Sequence, residues 1–358
     1  MKLLITGICG FAGSTLALRL RASKPGLEIF GVDNFIRAGS EMNRQRLQAA
    51  GIKVLHADLR VADDVEALPV ANWVLDAAAN PSVLAGTGGS GTSSRQLMQH
   101  NLDGTINVLE YCRRHAAGFT LLSTSRVYSI PPLAALQMET RDHAFRLAAG
   151  QTLPVGVSER GIAENFSVAP PVSLYGASKV CSEALALEYG LTFKFPVWIN
   201  RLGVLAGAGQ FGRADQGIFS FWIHSVAAQR PLKFIGFGGQ GHQVRDCLHP
   251  NDLGEVLLQH MASAPKAGEA ITNFAGGVPN SMSLRQLHDW AQQRFGPTPV
   301  QSDPTDRPFD LPWVILDSGL AEKRFGWKAT TPLPAMPCRC SMPHSDNLAA
   351  TSLPVSIS

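Results

Sequence analysis

The chain has 358 residues, 45% of them apolar and 16% charged, the balance of a soluble protein with one large or two interleaved domains. Its 31 lysines and arginines stand against 28 aspartates and glutamates, and a formal net charge of +3 is too small to point to nucleic acid or a membrane surface as a partner. Anion binding must therefore be local. The six cysteines form no C-x-x-C pair, so a zinc site is not expected, and they read as buried free thiols of a cytoplasmic protein. The apolar start is broken by Gly7, Gly10, Gly13 and Arg19, which does not suit a secretory leader. No uninterrupted apolar run reaches about 18 residues, so no membrane span is expected.

In chain order, "KLLITG" reads as a buried strand and "GSTLALRLRAS" as the helix after it. Further strands are expected at "EIFGVDN", "KVLHADL", "WVLDAAA", "FTLLSTS" and "PVWINRL". Between the fourth and fifth, Leu97, Leu102, Ile106 and Leu109 recur at helical spacing. Strands alternating with helices imply an α/β fold, a Rossmann-like doubly wound parallel sheet covered on both faces. Residues 129–172, rich in Pro, Gly and Ser, read as a long insertion with little regular structure near the active site. After the sheet domain, residues 1–200, the Gly-rich stretches suggest a smaller lobe over 201–335, partly interleaved with it. Residues 336–358 read as an irregular tail.

The first loop carries Gly7, Gly10 and Gly13 between strand and helix, and Asp33 follows 20 residues after Gly13. The first glycine permits a tight turn, the second lets backbone approach a pyrophosphate, and the third lets helix and sheet pack closely. The helix N-terminus faces the anion. An acid at Asp33 accepts hydrogen bonds from both ribose hydroxyls and repels a 2′-phosphate, which favours NAD over NADP, although Arg37 lies close behind it. Asp58 in "HADLR" suits an adenine amino group, or equally the capping of the next helix.

"TLLSTSRVY" ends the fifth strand with hydroxyls at Ser123, Thr124 and Ser125. Ligands of open α/β sheets sit beyond the carboxyl ends of the strands. In "YGASK", Tyr175 and Lys179 lie four apart on one helix face. The pair alone could be a polar helix start. Beside Thr124 it could instead be an acid/base set, with the Lys179 ammonium expected to lower the Tyr175 pKa into a usable range.

"TGICGFAG", Asp33, "DLR", "STSRVY" and "YGASK" together resemble the extended short-chain dehydrogenase/reductases, the nucleotide-sugar epimerases and dehydratases, over roughly residues 1–330. The resemblance implies Thr124, Tyr175 and Lys179 as the catalytic trio. It implies NAD held by Gly7, Gly10, Phe11, Ala12, Gly13, Asp33, Asn34, Asp58, Leu59, Ala77 and Ala78, together with Tyr175 and Lys179. Where the dehydratases carry an Asp-Glu pair after the threonine, this chain has Ser125 and Arg126, so elimination of water lacks its acid/base pair. "DNFIRAGSEMNRQRLQ", "AGAGQFGRADQG" and "GQGHQVRDCLHPNDL" are similar to the CDP-tyvelose (CDP-paratose) 2-epimerase group. That implies a transient keto-sugar and a nucleotide-sugar substrate, with Arg245 and Arg307 at its diphosphate and Gln210 in the nucleotide pocket. It also implies a homo-oligomer, a dimer or tetramer, through the helices of residues 97–115 and 175–190. Asn101, Tyr128, Asp246 and His249 are expected in structural roles, and no metal is expected. The alternatives are an epimerase or dehydrogenase of another nucleotide sugar, such as the UDP-glucose 4-epimerase type, and a catalytically silent NAD-binding regulatory protein.

Overall fold

The computed structural model describes residues 1–87, 91–213 and 216–333. The expected tail, with Cys338 and Cys340, lies outside them. In chain order the first half contains β1 (Lys2–Thr6), α1 (Phe11–Ser23), β2 (Glu28–Asp33), α2 (Glu41–Ala49), β3 (Lys53–His56) and β4 (Trp73–Asp76). It continues with α3 (Gly104–His115), β5 (Gly118–Thr124), α4 (Ser173–Phe193) and β6 (Val197–Leu202). Next come β7 (Val204–Leu205), α5 (Ile218–Ala227), β8 (Leu232–Ile235), β9 (Val244–Leu248), α6 (Gly254–Ala262) and β10 (Ile271–Phe274). The last are β11 (Ser281–Ser283), α7 (Leu284–Phe295), β12 (Val300–Asp303), β13 (Trp313–Val314) and α8 (Gly319–Phe325).

Seven strands form the main sheet in the order β10-β6-β5-β4-β1-β2-β3. All its pairings are parallel. Side chains alternate across a strand, so Leu3 and Ile5 face one layer and Leu4 the other. The first layer is closed by Leu16, Ala17 and Leu20 of α1, Val256 and Leu257 of α6, and Phe274 of β10. The second is closed by Val108 and Leu109 of α3 and Ala186 of α4. Each fully buried leucine or valine contributes about 1.5–3 kcal/mol. The order reverses between β1 and β4, the topological switch point at which such sheets bind ligands. Smaller sheets join β7, β9, β11 and β13, and pair β8 with β12.

Three local readings change. Residues 129–172 are not structureless: they hold a short helix, Ile130–Ala134, and two hairpins, Met138–Arg141 with Ala144–Leu147 and Val157–Ser158 with Gly161–Ile162. Leu133, Ala144, Ile162 and Phe166 form a core with Trp313, Ile315 and Leu316, so the strands are fixed by distant residues rather than by local propensity. The expected long helix is interrupted by a π-helical turn at Gln99–Asp103. Cys9, Cys112 and Cys247 are buried free thiols, but Cys181 is exposed on α4. Among the described residues no helix is long and apolar enough to cross a membrane.

His260 of α6 is buried and stacked on Trp198, with ring centroids 4.4 Å apart. Neither of its ring nitrogens has a hydrogen-bond partner among the described residues. Burial lowers its pKa from 6.5 to about 3. The unfolded chain therefore binds a proton that the native protein refuses, and stability is lost as pH falls from 6.5 toward 3. His260→Phe should flatten that acid limb, measured as the urea midpoint against pH.

Candidate active site

The loop between β1 and α1 lies at the switch point. Gly7 has φ +59°, in the left-handed region, and a Cβ there would lie 2.9 Å from Ala78 Cα. Gly13 sits so close to the preceding turn that a Cβ would strike the Gly7 carbonyl oxygen and lie 2.8 Å from Ile8 Cα. Gly10 is the N-cap of α1 and supplies no side-chain cap, so the first-turn N–H groups are left facing the cavity. Thr6 Oγ1 accepts from Ala77 N (3.1 Å) and Ala78 N (3.2 Å) and donates to Asp76, tying β1 to the loop after β4.

Asp33, at the end of β2, accepts from Cys9 N (2.9 Å) and Phe35 N (2.8 Å). Burial pushes its pKa up, against those N–H groups. Its carboxylate thus braces the glycine loop while still lining the cavity. Arg37 turns its guanidinium to the Phe211 carbonyl. Asp58 is paired with Arg60 at 2.6 Å and accepts from Asn34 Nδ2 at 3.3 Å. The Arg60 bond holds its carboxyl well below the usual range. It turns the loop by accepting the Arg60 N–H and does not cap the following helix, whose N-cap is Val61.

Thr124 ends β5, and its Oγ1 accepts from Arg126 N at 3.2 Å. Tyr175, in the first turn of α4, lines the same cavity as Thr124. Burial pushes the Tyr175 pKa up; the Thr124 bond and then the Arg126 charge pull it back. This departs from the expectation that Lys179 lowers it. Lys179 is 2% exposed, and burial lowers its pKa against the charges of Asp76 and Glu183. Glu183 also accepts from Ser123 Oγ and pairs with buried Arg201 at 2.7 Å.

At the far end Arg245 pairs with Asp310 at 2.6 Å and donates to its own chain at Val244 O, 2.7 Å. The pair is mostly buried, not a surface ion pair. Gln210 donates to Leu205 O and accepts from Ser220 Oγ, both at 2.8 Å, so its amide shapes the loop wall. Every residue expected at the site lines one cavity of about 710 Å³, from Asp33, Asn34, Asp58 and Leu59 through Phe11, Ala12 and Thr124 to Arg307. Asn101 instead clamps the loop after β4, accepting from Asn80 N at 2.7 Å and donating to Asn80 O at 3.0 Å. Tyr128 donates to Asn273 at 2.7 Å, His249 accepts from Asn251 N at 3.2 Å, and Asp246 accepts from Leu316 N at 2.9 Å.

Residues 3–274 match the profile of the NAD dependent epimerase/dehydratase family. The chain belongs to that family. The match ends on the last residue of β10, so it spans the whole main sheet. CDP-paratose 2-epimerase of Salmonella typhi is 29% identical over 296 residues, 80% of this chain and 82% of that protein. UDP-glucose 4-epimerase of Thermus thermophilus in complex with NAD superposes with a TM-score of 0.72 at 24% identity, over 94% of this chain and 96% of that one. UDP-glucuronic acid 4-epimerase of Bacillus cereus, in complex with UDP-glucuronic acid and NAD, gives 0.74 at 21% identity over the same shares.

The residues of this family member fit NAD. The cradle has no room for side chains at Gly7 and Gly13, and the uncapped start of α1 offers N–H donors to a pyrophosphate. Arg126, Phe309 and Asp310 are among the lining residues that escaped the sequence reading as contributors. Arg126 entered there only as the replacement of a carboxylate, and the segment 307–310 reaches the cavity by tertiary packing. Among the described residues no group of three or more His, Cys, Asp or Glu is arranged to hold a metal ion.

Gly13→Ala should cost about 1–3 kcal/mol through overpacking. It should also lower the NAD retained per chain on purification. Gly26→Ala, where nothing lies within 4 Å, is the control and should do neither. Thermal melting and NAD released by denaturation read the two effects.

Proposed function

We propose that the protein is an NAD-dependent nucleotide-sugar epimerase acting through a transient keto-sugar, with a CDP-linked dideoxyhexose inverted at its second carbon as the favoured substrate. The observation that carries this reading is one continuous cavity with a dinucleotide cradle at one end, Thr124 and Tyr175 in its middle, and Arg245 and Arg307 beyond. When bound, NAD supplies the hydride acceptor for a ring carbinol and returns the hydride to the ketone.

The remaining roles fall to the chain. Tyr175 takes the proton of the ring hydroxyl and returns it to the carbonyl oxygen when the ketone is reduced again. Thr124, on the wall of the same cavity, holds the substrate oxygen in line. Lys179, buried one helical turn after the base and subject to the charges of Asp76 and Glu183, supports the cofactor side of the site. Asp33 and Asn34 serve the adenosine ribose, Asp58 and Leu59 the adenine end, and Ala77 and Ala78 the wall beside the pyrophosphate. Arg245 and Arg307 suit the substrate diphosphate, since a guanidinium forks onto phosphate oxygens. Gln210 borders the nucleotide. The absence of a carboxyl at Ser125 and Arg126 leaves the keto-sugar no acid for elimination, so it is reduced again rather than dehydrated.

Residues 1–200 serve mainly the cofactor and 201–335 mainly the substrate. The protein works in the cytoplasm as a dimer or tetramer through α3 and α4; α4 keeps Leu191 and Phe193 exposed at its C-terminal end, which favours that surface. Light scattering on the purified protein, with Leu191→Lys as the disrupting variant, tests this assembly. A monomeric wild type would refute it.

A panel of CDP-, UDP-, GDP- and dTDP-sugars, with products identified by NMR, tests the function. The expected outcome is epimerised CDP-sugar; turnover of UDP-sugars alone would move the protein to the UDP-glucose 4-epimerase type. Tyr175→Phe should lower turnover roughly 10²–10⁴-fold with NAD still bound. Unchanged turnover in that variant would remove Tyr175 from the mechanism.

A further inference from the structure

Strand β5 runs out into three successive hydroxyls, and each has a different employment. Ser123 Oγ donates to Glu183. Thr124 Oγ1 accepts the Arg126 N–H at 3.2 Å. Ser125 is 8% exposed and lines the cavity, and its hydroxyl has no hydrogen-bond partner among the described residues. That hydroxyl is not sealed in the interior, so its open side is the cavity.

Arg126 follows on the same turn, Ser125–Val127, and lines the cavity too. Its Nη1 donates to the Phe309 carbonyl at 3.2 Å, which anchors the guanidinium. Its Nε and Nη2 have no hydrogen-bond partner among the described residues. The residue after Phe309 is Asp310, whose carboxylate holds Arg245 at 2.6 Å. The turn therefore reaches from Thr124 at the reacting end to within one residue of the Asp310–Arg245 pair. It is firmly seated: a Cβ on Gly176 would strike the Arg126 carbonyl oxygen, so the turn lies directly against the residue that follows Tyr175.

We propose that Ser125 and Arg126 form the sugar-reading wall of the site: they hydrogen-bond a second ring hydroxyl of the substrate, beyond the one that is oxidised. This rests on the reading of the chain as a nucleotide-sugar epimerase given above. It adds a substrate class, hexoses that keep at least one ring hydroxyl besides the reacting one.

In a nucleotide sugar the ring lies between the hydroxyl to be oxidised and the diphosphate. Ser125 and Arg126 hold the same interval of the cavity, between Thr124 and Arg245. The free guanidinium nitrogens only donate, and the serine hydroxyl also accepts. Together they meet both needs of a sugar hydroxyl, whose oxygen takes the guanidinium N–H and whose proton goes to Ser125. A substrate with no hydroxyl there would leave both groups unpaired, and unpaired buried polar groups penalise the ligand that cannot meet them. Neither group exchanges a proton near neutral pH, so they grip the sugar without diverting its ketone. The diphosphate competes for Arg126, but Arg245 and Arg307 already serve it, and the uncharged Ser125 has no advantage there.

Calorimetric titration of the NAD-loaded enzyme with CDP and with CDP-glucose separates the two ends of the substrate. Arg126→Met should weaken CDP-glucose roughly tenfold and CDP by less than about twofold. Ser125→Ala should weaken CDP-glucose about threefold and leave CDP in place. That second variant keeps the Arg126–Phe309 bond, so it carries the test if the Met variant does not fold. Equal losses for CDP and CDP-glucose would overturn the proposal and make Arg126 a diphosphate contact. Unchanged binding of both ligands in both variants would overturn it as well. A loss confined to one variant strikes the other residue from the wall. UDP and UDP-glucose are titrated alongside, and if the wild type binds only that pair, the same differences are read there. A wild type that bound neither pair would remove the functional reading and this inference with it, whereas failure of the inference alone shows only in the variants.

Discussion

The burial of one lysine among carboxylates organises the centre of the molecule. Lys179 is 2% exposed; burial lowers its pKa, and the charges of Asp76 and Glu183 work against that. Each of those carboxylates needs partners of its own. Asp76 takes the Thr6 hydroxyl, and Glu183 takes Ser123 and the Arg201 guanidinium. Arg201 then stacks over Tyr128, which bonds Asn273. The row crosses β1, β4, β5, β6 and β10 at their carboxyl ends. Removing one member of such a buried set strands a charge, at a cost of about 3–5 kcal/mol. The same residues that protect the lysine therefore lock the strand ends into the register the site requires.

Much of this was legible from local pattern. Apolar runs fixed the strands, and three glycines between strand and helix marked the cradle, because both signals depend on near neighbours. The four-residue step from Tyr175 to Lys179 correctly put both on one helix face. What spacing could not show was burial. It suggested a lowered tyrosine pKa, whereas burial of the phenol pushes that pKa up. Arg126 was visible only as a missing carboxylate. Phe309 and Asp310 lie more than a hundred residues beyond Tyr175, and only the fold brings them together.

The insertion after β5 shows the same limit in its secondary structure. Its strands have two to four residues and little hydrophobic periodicity. They persist because Ile162 N donates to Ile315 O at 2.8 Å and Asp317 N returns to Ile162 O at 2.9 Å. Val244 of β9 packs into the same cluster, immediately before Arg245. The wall that carries Arg245 is thus built from three separated parts of the chain. Its position relative to Tyr175 is set by that shared core, not by any one loop.

The late arrival of β10 has a consequence for synthesis. Strand β6 is 72 residues older on the ribosome than the strand that pairs its outer edge, since Leu202 and Phe274 are partners. Until residue 274 emerges, the growing sheet presents β6 as an open parallel edge, with Arg201 and Tyr128 lacking Asn273. About three-quarters of the chain must therefore be made before its nucleotide-binding half can close. A nascent chain stalled in the smaller lobe would expose a sticky strand, and the interval between those two residues is the window in which a chaperone has the most to protect.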